Sequence, residues 1–264
     1  MASESAIRLG SFLGIFLLVG LAEHLWPRRQ LTVPKGRRWF CNIAVVIIDT
    51  FVARLVFPLM PVGMAEIAKV QGWGLFNLVV LPHWLEIGVS VLALDLVIYL
   101  QHRAFHRVPT FWRFHRMHHT DLDLDVSSGN RFHPIEILAS LLIKLGVVTL
   151  LGAPVLAIVV FEVALNATSL FNHGNFRIPL AIDRWLRLFL VTPDMHRVHH
   201  SVIHRETDSN FSFNVPWWDR LLGTYRDQPR EGHDGMVIGL KEFRDANRLG
   251  LGYLLLLPFR GRAG

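Results

Sequence analysis

The chain has 264 residues, of which 52% are hydrophobic, with a formal net charge of +6. At a mean hydropathy of +0.36 it is too apolar for an ordinary soluble enzyme, and its length suits one large domain. Its cations sit at the ends of apolar runs rather than in one stripe, which excludes a nucleic-acid partner, and its single cysteine, Cys41, excludes a disulfide, a thiolate zinc site or an iron–sulfur cluster built from this chain alone.

In chain order, the first apolar run covers Leu9 to Ala22, between Arg8 and Glu23-His24. No A-x-A cleavage site follows it, so an uncleaved membrane helix is expected rather than a signal peptide. A second run, Phe40 to Met60, carries Asp49 and Arg54, for which a structural pairing is expected. A third, Trp84 to Leu100, leads directly into His102. Trp26, Trp39, Trp73 and Trp84 stand near the ends of these runs, where indole rings favour the membrane interface. Residues 28–38 hold Arg28, Arg29, Lys35, Arg37 and Arg38 with no acid, which assigns that loop to the cytoplasm. Residues 61–83 hold only Glu66 and Lys69 and belong outside, so the third helix returns the chain to the cytoplasmic face.

The segment from Ile135 to Phe161 is apolar but broken at Gly152-Ala153-Pro154. As a single crossing it would put the histidines at 102–119 and 196–200 on opposite sides of a hydrocarbon core about 30 Å thick. As the tip of a helical hairpin it lets them meet, with arms of roughly 15 residues, about 22 Å, that penetrate only part of the bilayer. The hairpin is the expectation. Ile182 to Leu190 reads as an amphipathic interfacial helix with Asp183, Arg184 and Arg187 facing away from Trp185, Leu186 and Phe189. Leu249 to Phe259 suits the bilayer surface or a buried C-terminal helix equally well.

Ten of the fourteen histidines fall in one pattern: His102-x3-His106, His115-x2-His118-His119, a lone His133, a lone His173, and His196-x2-His199-His200. Imidazole is neutral near pH 7 and suits iron, zinc, copper and nickel. Spacings of three and four bring two rings to one helical face, within reach of one ion. The doublets add a ring turned by about 100°, so one helix can serve two ions, or one ion and a contact behind it. Nine or so donors exceed what a single ion takes; two ions, with positions left for oxygen species, account for them economically. A redox pair such as two irons attacks unactivated C–H bonds, zinc at the same ligands favours hydrolysis, and the spacing selects neither. The lack of thiolates argues only against copper(I).

Among the other polar residues, Asp95 stands seven positions before His102 on the same helical face, with Tyr99 between. A carboxylate inside a membrane helix faces the protein interior, and here it is a candidate to orient a metal-bound imidazole. His24, His83 and His233 are expected at surface or interfacial positions, and His204 past the end of its helix. Asp121, Asp123 and Asp125 alternate like a calcium loop but lack its glycine and terminal glutamate, so a solvated loop is expected.

Five ordered blocks carry a resemblance. They are Asp95-Leu-Val-Ile-Tyr-Leu-Gln-His102-Arg-Ala-Phe-His106 with Trp112-Arg-Phe-His115-Arg-Met-His118-His119; Asn130-Arg-Phe-His133-Pro-Ile-Glu136; Phe171-Asn-His173-Gly-Asn; His196-Arg-Val-His199-His200-Ser; and Glu206-Thr-Asp-Ser-Asn210-Phe with Trp218-Asp-Arg-Leu-Leu-Gly-Thr-Tyr225. Over residues 85–228 the chain resembles the fatty acid hydroxylase/sterol desaturase superfamily. Its His133-Pro-Ile-Glu136 is similar to the sterol desaturase branch, whereas Ser169 stands where the acyl hydroxylase branch has a further histidine. The resemblance implies an integral-membrane, non-haem di-iron oxidoreductase that uses O2 to hydroxylate or desaturate a lipid such as a sterol or fatty acyl chain, as part of lipid biosynthesis. It implies two iron ions (Fe2+/Fe3+), with zinc as a possible substitute. It also implies that His102, His106, His115, His118, His119, His173, His196, His199 and His200 are the ligands, with His133 a ligand or a residue behind them.

Together these readings give an all-α fold, an integral membrane helical bundle with a cytoplasmic histidine-rich helical cap holding a dimetal site. It forms one membrane-embedded domain, 1–264: transmembrane helices in 1–84, the catalytic region in 85–228 and a C-terminal tail in 229–264. The expected location is a bacterial inner membrane. The lipid enters from the bilayer, and electrons come from an external reductase, ferredoxin or cytochrome, since the sequence carries no cluster site or cytochrome-like region of its own. The competing reading is a membrane protein that binds or transports divalent metal ions without redox chemistry.

Overall fold

In hydrocarbon each backbone amide must find its partner within its own segment, so apolar runs free of proline fold as helices. The computed structural model describes residues 2–260; residues 261–264 of the expected tail lie outside the described residues. Seven longer helices, α1 (Ala2–Leu25), α2 (Lys35–Val56), α3 (Pro61–Gln71), α4 (His83–Arg107), α5 (Pro109–His119), α6 (Pro134–Leu151) and α7 (Val155–Asn172), precede six short ones. The short ones are α8 (Leu180–Leu186), α9 (Pro193–His199), α10 (His204–Thr207), α11 (Trp217–Leu221), α12 (Gly232–Gly235) and α13 (Leu251–Leu256). Pro61, Pro109, Pro134 and Pro193 each open a helix, where the missing N–H costs nothing. The described residues contain no strand, only isolated bridges such as Ser201 with Ile238. The protein is all-α.

Five segments are long and apolar enough to cross a membrane: Glu4–Leu25, Lys35–Asn77, His83–Arg107, Pro134–Leu151 and Val155–Asn172. Their outer faces expose leucine and phenylalanine, for example Leu17, Leu18, Phe40, Phe51 and Leu55. Such surface is costly in water and ordinary in lipid. Between them a core forms where Leu94 and Ile98 of α4 meet Val62 and Ala65 of α3, Val148 of α6 and Ile158 and Phe161 of α7.

The helices run in alternation between two ends. At one end Glu23, near the close of α1, accepts hydrogen bonds from the backbone N–H groups of Val126 (2.7 Å) and Asn175 (2.8 Å). Arg38, in the first turn of α2, reaches Asp121 and Asp125 there. At the other end the chain after α3 meets the turn between α6 and α7. The loop 28–38 thus lies with the histidine-rich end and 61–83 extends to the opposite end.

The turn at 152–154 is the tip of a hairpin. Gly152 has φ +64° and closes α6, Pro154 is the N-cap of α7, and a Cβ on Gly74 would collide with the Gly152 nitrogen. Each arm has 18 residues, about 27 Å at helical rise, so the arms are longer than expected and close to a full hydrocarbon depth. The apolar run ends at Phe161 but the helix does not. Glu162, Asn166, Ser169 and Asn172 follow at spacings of three and four and put polar groups on one face without breaking it.

Three further expectations are corrected, and one left open is decided. Arg54 is exposed and makes no ion pair with Asp49 among the described residues, and one Asp49 carboxylate oxygen is buried without a partner. The 121–125 segment is no solvated loop. Arg38 bonds Asp121 (2.6 Å) and Asp125 (2.8 Å), while Asp123 accepts from the Thr32 and Val33 N–H groups (2.8 and 2.9 Å). Burial pushes the Asp121 carboxyl up, but Arg38 and Arg131 outweigh it and hold it well below the usual carboxylate range. Next, α8 ends at Leu186 and is turned inside out, with Asp183 and Arg187 paired and buried (2.7 Å) while Leu180, Ile182 and Trp185 face outward. Of the two alternatives left open for the C-terminal helix, the structure shows packing against the protein along one face, with Leu256 and Phe259 exposed on the other. Leu254 and Leu257 pack with Cys41, Val45 and Met117, and the Arg116 guanidinium donates to the carbonyls of Leu257 (2.6 Å) and Arg260 (3.0 Å).

Replacing Arg38 by methionine strands two buried carboxylates, and losing one partner of a buried pair costs about 3–5 kcal/mol. We expect Arg38→Met to lower the thermal midpoint and expose the 121–131 segment to protease; an unchanged midpoint would mean that this network does not hold α2 to the histidine-rich end.

Candidate metal centre

Nine histidines converge at the end where α4, α5, α7 and α9 meet, and they form two groups. One contains His102 and His106 of α4, His115 and His119 of α5, and His199 of α9; the other contains His118, His173, His196 and His200. Within each group the facing ring nitrogens all lie within 4.8 Å of one another. The spacings divide cleanly. Pairs four apart (102/106, 115/119, 196/200) point to one group, whereas pairs three apart (115/118, 196/199) and the two doublets split between groups. Helices α5 and α9 therefore serve both.

What aims each ring is a hydrogen bond at its far nitrogen. His102 Nδ1–H donates to the Phe211 carbonyl (2.7 Å), His199 Nδ1–H to that of Ser209 (2.7 Å) and His118 Nδ1–H to that of Arg131 (3.2 Å). His173 Nδ1–H donates to the Ser169 carbonyl (2.7 Å) and His115 Nδ1–H to the Glu136 carboxylate (2.7 Å). A carbonyl only accepts, so the four rings bonded to carbonyls carry their proton on Nδ1 and present an Nε2 lone pair to the centre, and His115 does the same with Glu136 as the carboxylate.

The consequence is decisive for what fits there. His102 and His115 bring Nε2 atoms to 3.1 Å, and so do His118 and His173. In both pairs each Nδ1 already holds the proton, so two lone pairs face each other and no hydrogen bond joins them. A cation between them removes the repulsion. With metal–nitrogen bonds of about 2.1 Å, neighbouring ligands stand about 3.0–3.4 Å apart in octahedral or tetrahedral geometry, and the observed Nε2–Nε2 contacts run from 3.1 to 3.3 Å. His106 (both nitrogens) and His199 Nε2 are buried with no hydrogen-bond partner, as are the Nδ1 atoms of His196 and His200. The donor set fits two metal ions.

The loop that supplies the carbonyls is itself fixed. Asp219 accepts from the N–H groups of Phe211 (2.8 Å) and Ser212 (3.0 Å) and from Thr224 Oγ1 (2.7 Å), which in turn meets Tyr99 of α4 (2.8 Å). Asn210, at φ +52°, clasps the carbonyls of Met195 and Arg226 (both 2.8 Å). Asp95 does not touch a histidine. Its oxygens accept from Asn214 Nδ2 (2.7 Å) and Trp218 Nε1 (2.8 Å), so it positions the loop rather than a ring. His133 lies outside both groups. Its Nδ1 accepts from the Ile135 N–H (3.1 Å), which caps α6, and its Nε2–H donates to the Leu255 carbonyl (3.1 Å). The residue of that motif that reaches the centre is Glu136, one turn on, and a buried carboxylate behind a histidine was the signal for it. His24, His83 and His204 are exposed as expected, but His233 is buried with Nε2 3.7 Å from Asp194.

Burial holds the His115 ring down to about 3 and the His173 ring to about 4. His118, His119, His196, His199 and His200 lie well below the ordinary value for the same reason, reinforced by neighbouring imidazoles. Without metal, a falling pH protonates the unfolded chain near 6.5 while the folded cap refuses the protons. Stability is therefore full above about 6.5 and lost toward 4, by about 1.4 kcal/mol per pH unit for each such ring. Denaturation of metal-stripped protein between pH 7.5 and 4.5 should show this fall, and a flat profile would contradict nine neutral rings.

A family model for fatty acid hydroxylase matches residues 87–224, just over half of the chain. The chain is 26% identical over 224 residues to an ornithine lipid hydroxylase of Rhizobium tropici, covering 83% of this chain and 67% of that protein. It is 26% identical over 175 residues to the alkylglycerol monooxygenase of Homo sapiens (64% of this chain, 36% of that one). With the cholesterol 25-hydroxylase of Homo sapiens it shares 28% over 139 residues (52% and 49%). It thus spans about two thirds of the first relative and under half of the other two. No solved structure matches. The matched region contains every histidine of both groups, and the chain belongs to the fatty acid hydroxylase family.

Proposed function

We propose that this chain is an O2-dependent lipid oxidoreductase of the membrane, a hydroxylase by first preference, whose nine clustered histidines hold two iron ions. The observation that carries the reading is the set of opposed Nε2 lone pairs in two adjoining groups, and the lipid hydroxylases among its relatives favour iron over zinc at those donors. Two bound irons supply the means of activating O2 against a C–H bond. His102, His106, His115, His119 and His199 hold one ion, and His118, His173, His196 and His200 the other. Glu136 keeps the His115 proton on Nδ1, and the 209–212 loop does the same for His102 and His199. Asp95 and Asp219 keep that loop in place. The ring of packed helices around the centre excludes bulk water.

A lipid reaches the centre from within the bundle, through a cavity whose wall includes His102 and His115. Electrons come from a separate donor protein. The cap lies on the cytoplasmic side of a bacterial inner membrane, in one membrane-embedded domain. Metal transport is disfavoured by the same cavity, because Lys144 lines it and a fixed cation opposes the passage of another.

The test is reconstitution in lipid vesicles with ferrous iron, a reductant and labelled O2. Reductant-dependent O2 uptake with one labelled oxygen gained per lipid is expected; loss of two hydrogens would mark desaturation, and neither change would sink the reading. His118→Ala and His199→Ala should each abolish turnover and lower bound iron while leaving membrane insertion intact, and an active variant would refute the ligand assignment. Glu136→Gln should weaken iron retention by about 10- to 100-fold. Asp95→Asn should weaken it less, because Asp95 acts through the loop; equal effects would give Asp95 a closer role.

A further inference from the structure

Beside the five-histidine group lies a cavity of about 160 Å³ between α4, α6 and α7. That is close to the volume that holds one benzene, about 150 Å³, so it takes a fragment rather than a whole lipid tail. Most of its wall is apolar, from residues such as Ile98, Phe105, Phe132, Leu165 and Phe213, but one side is not what a hydrocarbon requires. Glu136, Ser140 and Lys144 of α6 stand four residues apart and form one line about 12 Å long. Gln101 of α4 and Asn166 of α7 face the same space.

Hydrogen bonds within the protein leave several of these groups unsatisfied. Glu136 uses Oε1 for His115, but its Oε2 is buried with no partner, and so is Gln101 Oε1. Lys144 gives one N–H to Glu162 (3.3 Å), and an ammonium has three. Glu162 also pairs with Arg8, which in turn pairs with Glu4 (2.7 Å), so two carboxylates share two cations and the charge of Lys144 is matched, but only one of its N–H groups is used. A hydrocarbon in this cavity would leave two buried acceptors, and the remaining N–H groups of Lys144, without hydrogen bonds.

Taking the lipid-oxidation reading as its basis, we propose that the polar end of the substrate, not its tail, occupies this cavity. The ligand class is a lipid bearing a hydroxyl or amide. Its O–H or N–H is received by Gln101 and Glu136 near the histidines, and an acceptor oxygen further along lies at Lys144. The carbon presented to His102 and His115 is then one close to the polar group.

The experiment is native mass spectrometry of the iron-loaded protein offered hexadecane, 1-hexadecanol and N-methylhexadecanamide. The wild type should retain the alcohol and the amide at least about 10-fold better than the alkane, because a site built to pair polar groups rejects an analogue that lacks them. Gln101→Leu and Lys144→Met should bring the ratio to within about twofold while iron content stays unchanged. Equal retention of the alkane by the wild type overturns the proposal whatever the variants do, and so does a preference that survives in both. Adduct formation needs no turnover. In the wild type, absence of the preference with normal O2 uptake therefore defeats the cavity assignment alone, and an intact preference without O2 uptake defeats the oxidation reading alone.

Discussion

Imidazole nitrogens with their lone pairs aimed at one another are unstable neighbours, and this fold is organised around holding nine such rings at two adjoining points. The rings come from four helices, but their aim comes from elsewhere: backbone carbonyls at Arg131, Ser169, Ser209 and Phe211, and one carboxylate, Glu136. An error of a few tenths of an ångström in those acceptors would swing a lone pair off the shared point. That explains why so much buried polarity surrounds the centre without entering it. Asp95, Tyr99 and His102 lie along one face of α4, and all three grip the 210–224 segment. Arg131 is locked in turn by Thr120 (2.7 Å), Asn42 (3.0 Å) and the Met117 carbonyl (3.2 Å), which ties the carbonyl behind His118 to α2.

The membrane bundle meets this cap through charges rather than apolar contacts alone. Arg38 at the start of α2 and Glu23 near the end of α1 both reach into the 121–128 segment. Their positions fit the ends of membrane helices, where a long side chain can leave hydrocarbon and find polar partners. The hairpin of α6 and α7 then closes the bundle so that its two cap-side ends, Pro134 and Asn172, stand by the histidines. The break at Gly152–Pro154 thus does more than interrupt a helix. It returns the chain to the side it left, and without that return His173 and the 196–200 block would lie a membrane's thickness from α4 and α5.

The histidine spacing made the site legible, because four-residue steps on a helix have one geometric meaning and the sequence repeats them three times. How the doublets divide was open from the sequence, and in the structure the two rings of each doublet fall in different groups. What the sequence hid were partners distant along the chain. Asp121, Asp123 and Asp125 looked solvated because Arg38 stands 83 residues from Asp121. Asp95 looked like a partner of His102 because both share a helical face, yet the loop folds in between. Asp183 and Arg187 looked outward because the rule that charge faces solvent assumes water on the outside. Beside a bilayer the apolar face turns out and the ion pair turns in. The end of α7 was missed for a related reason: its polar stripe reads as a chain leaving the membrane, but Asn166 and Ser169 line an internal cavity while Glu162 and Asn172 find partners within the protein.

That stripe also breaks the symmetry between the two histidine groups. The rings in the cavity wall, His102 and His115, both belong to the five-histidine group, whereas His118, His173, His196 and His200 are packed away from it. The cause is local. His115 stands at the start of the last turn of α5 and faces α6, where Glu136 holds it, and the one-residue step from His119 to His118 turns the remaining ring toward α7 and α9. A molecule entering from the bundle therefore meets one group first, at the place where Glu136 both fixes a ring and offers a free oxygen to the newcomer. The same carboxylate thus belongs to both places, with Oε1 fixing the His115 ring and Oε2 left without a partner at a residue of the cavity wall.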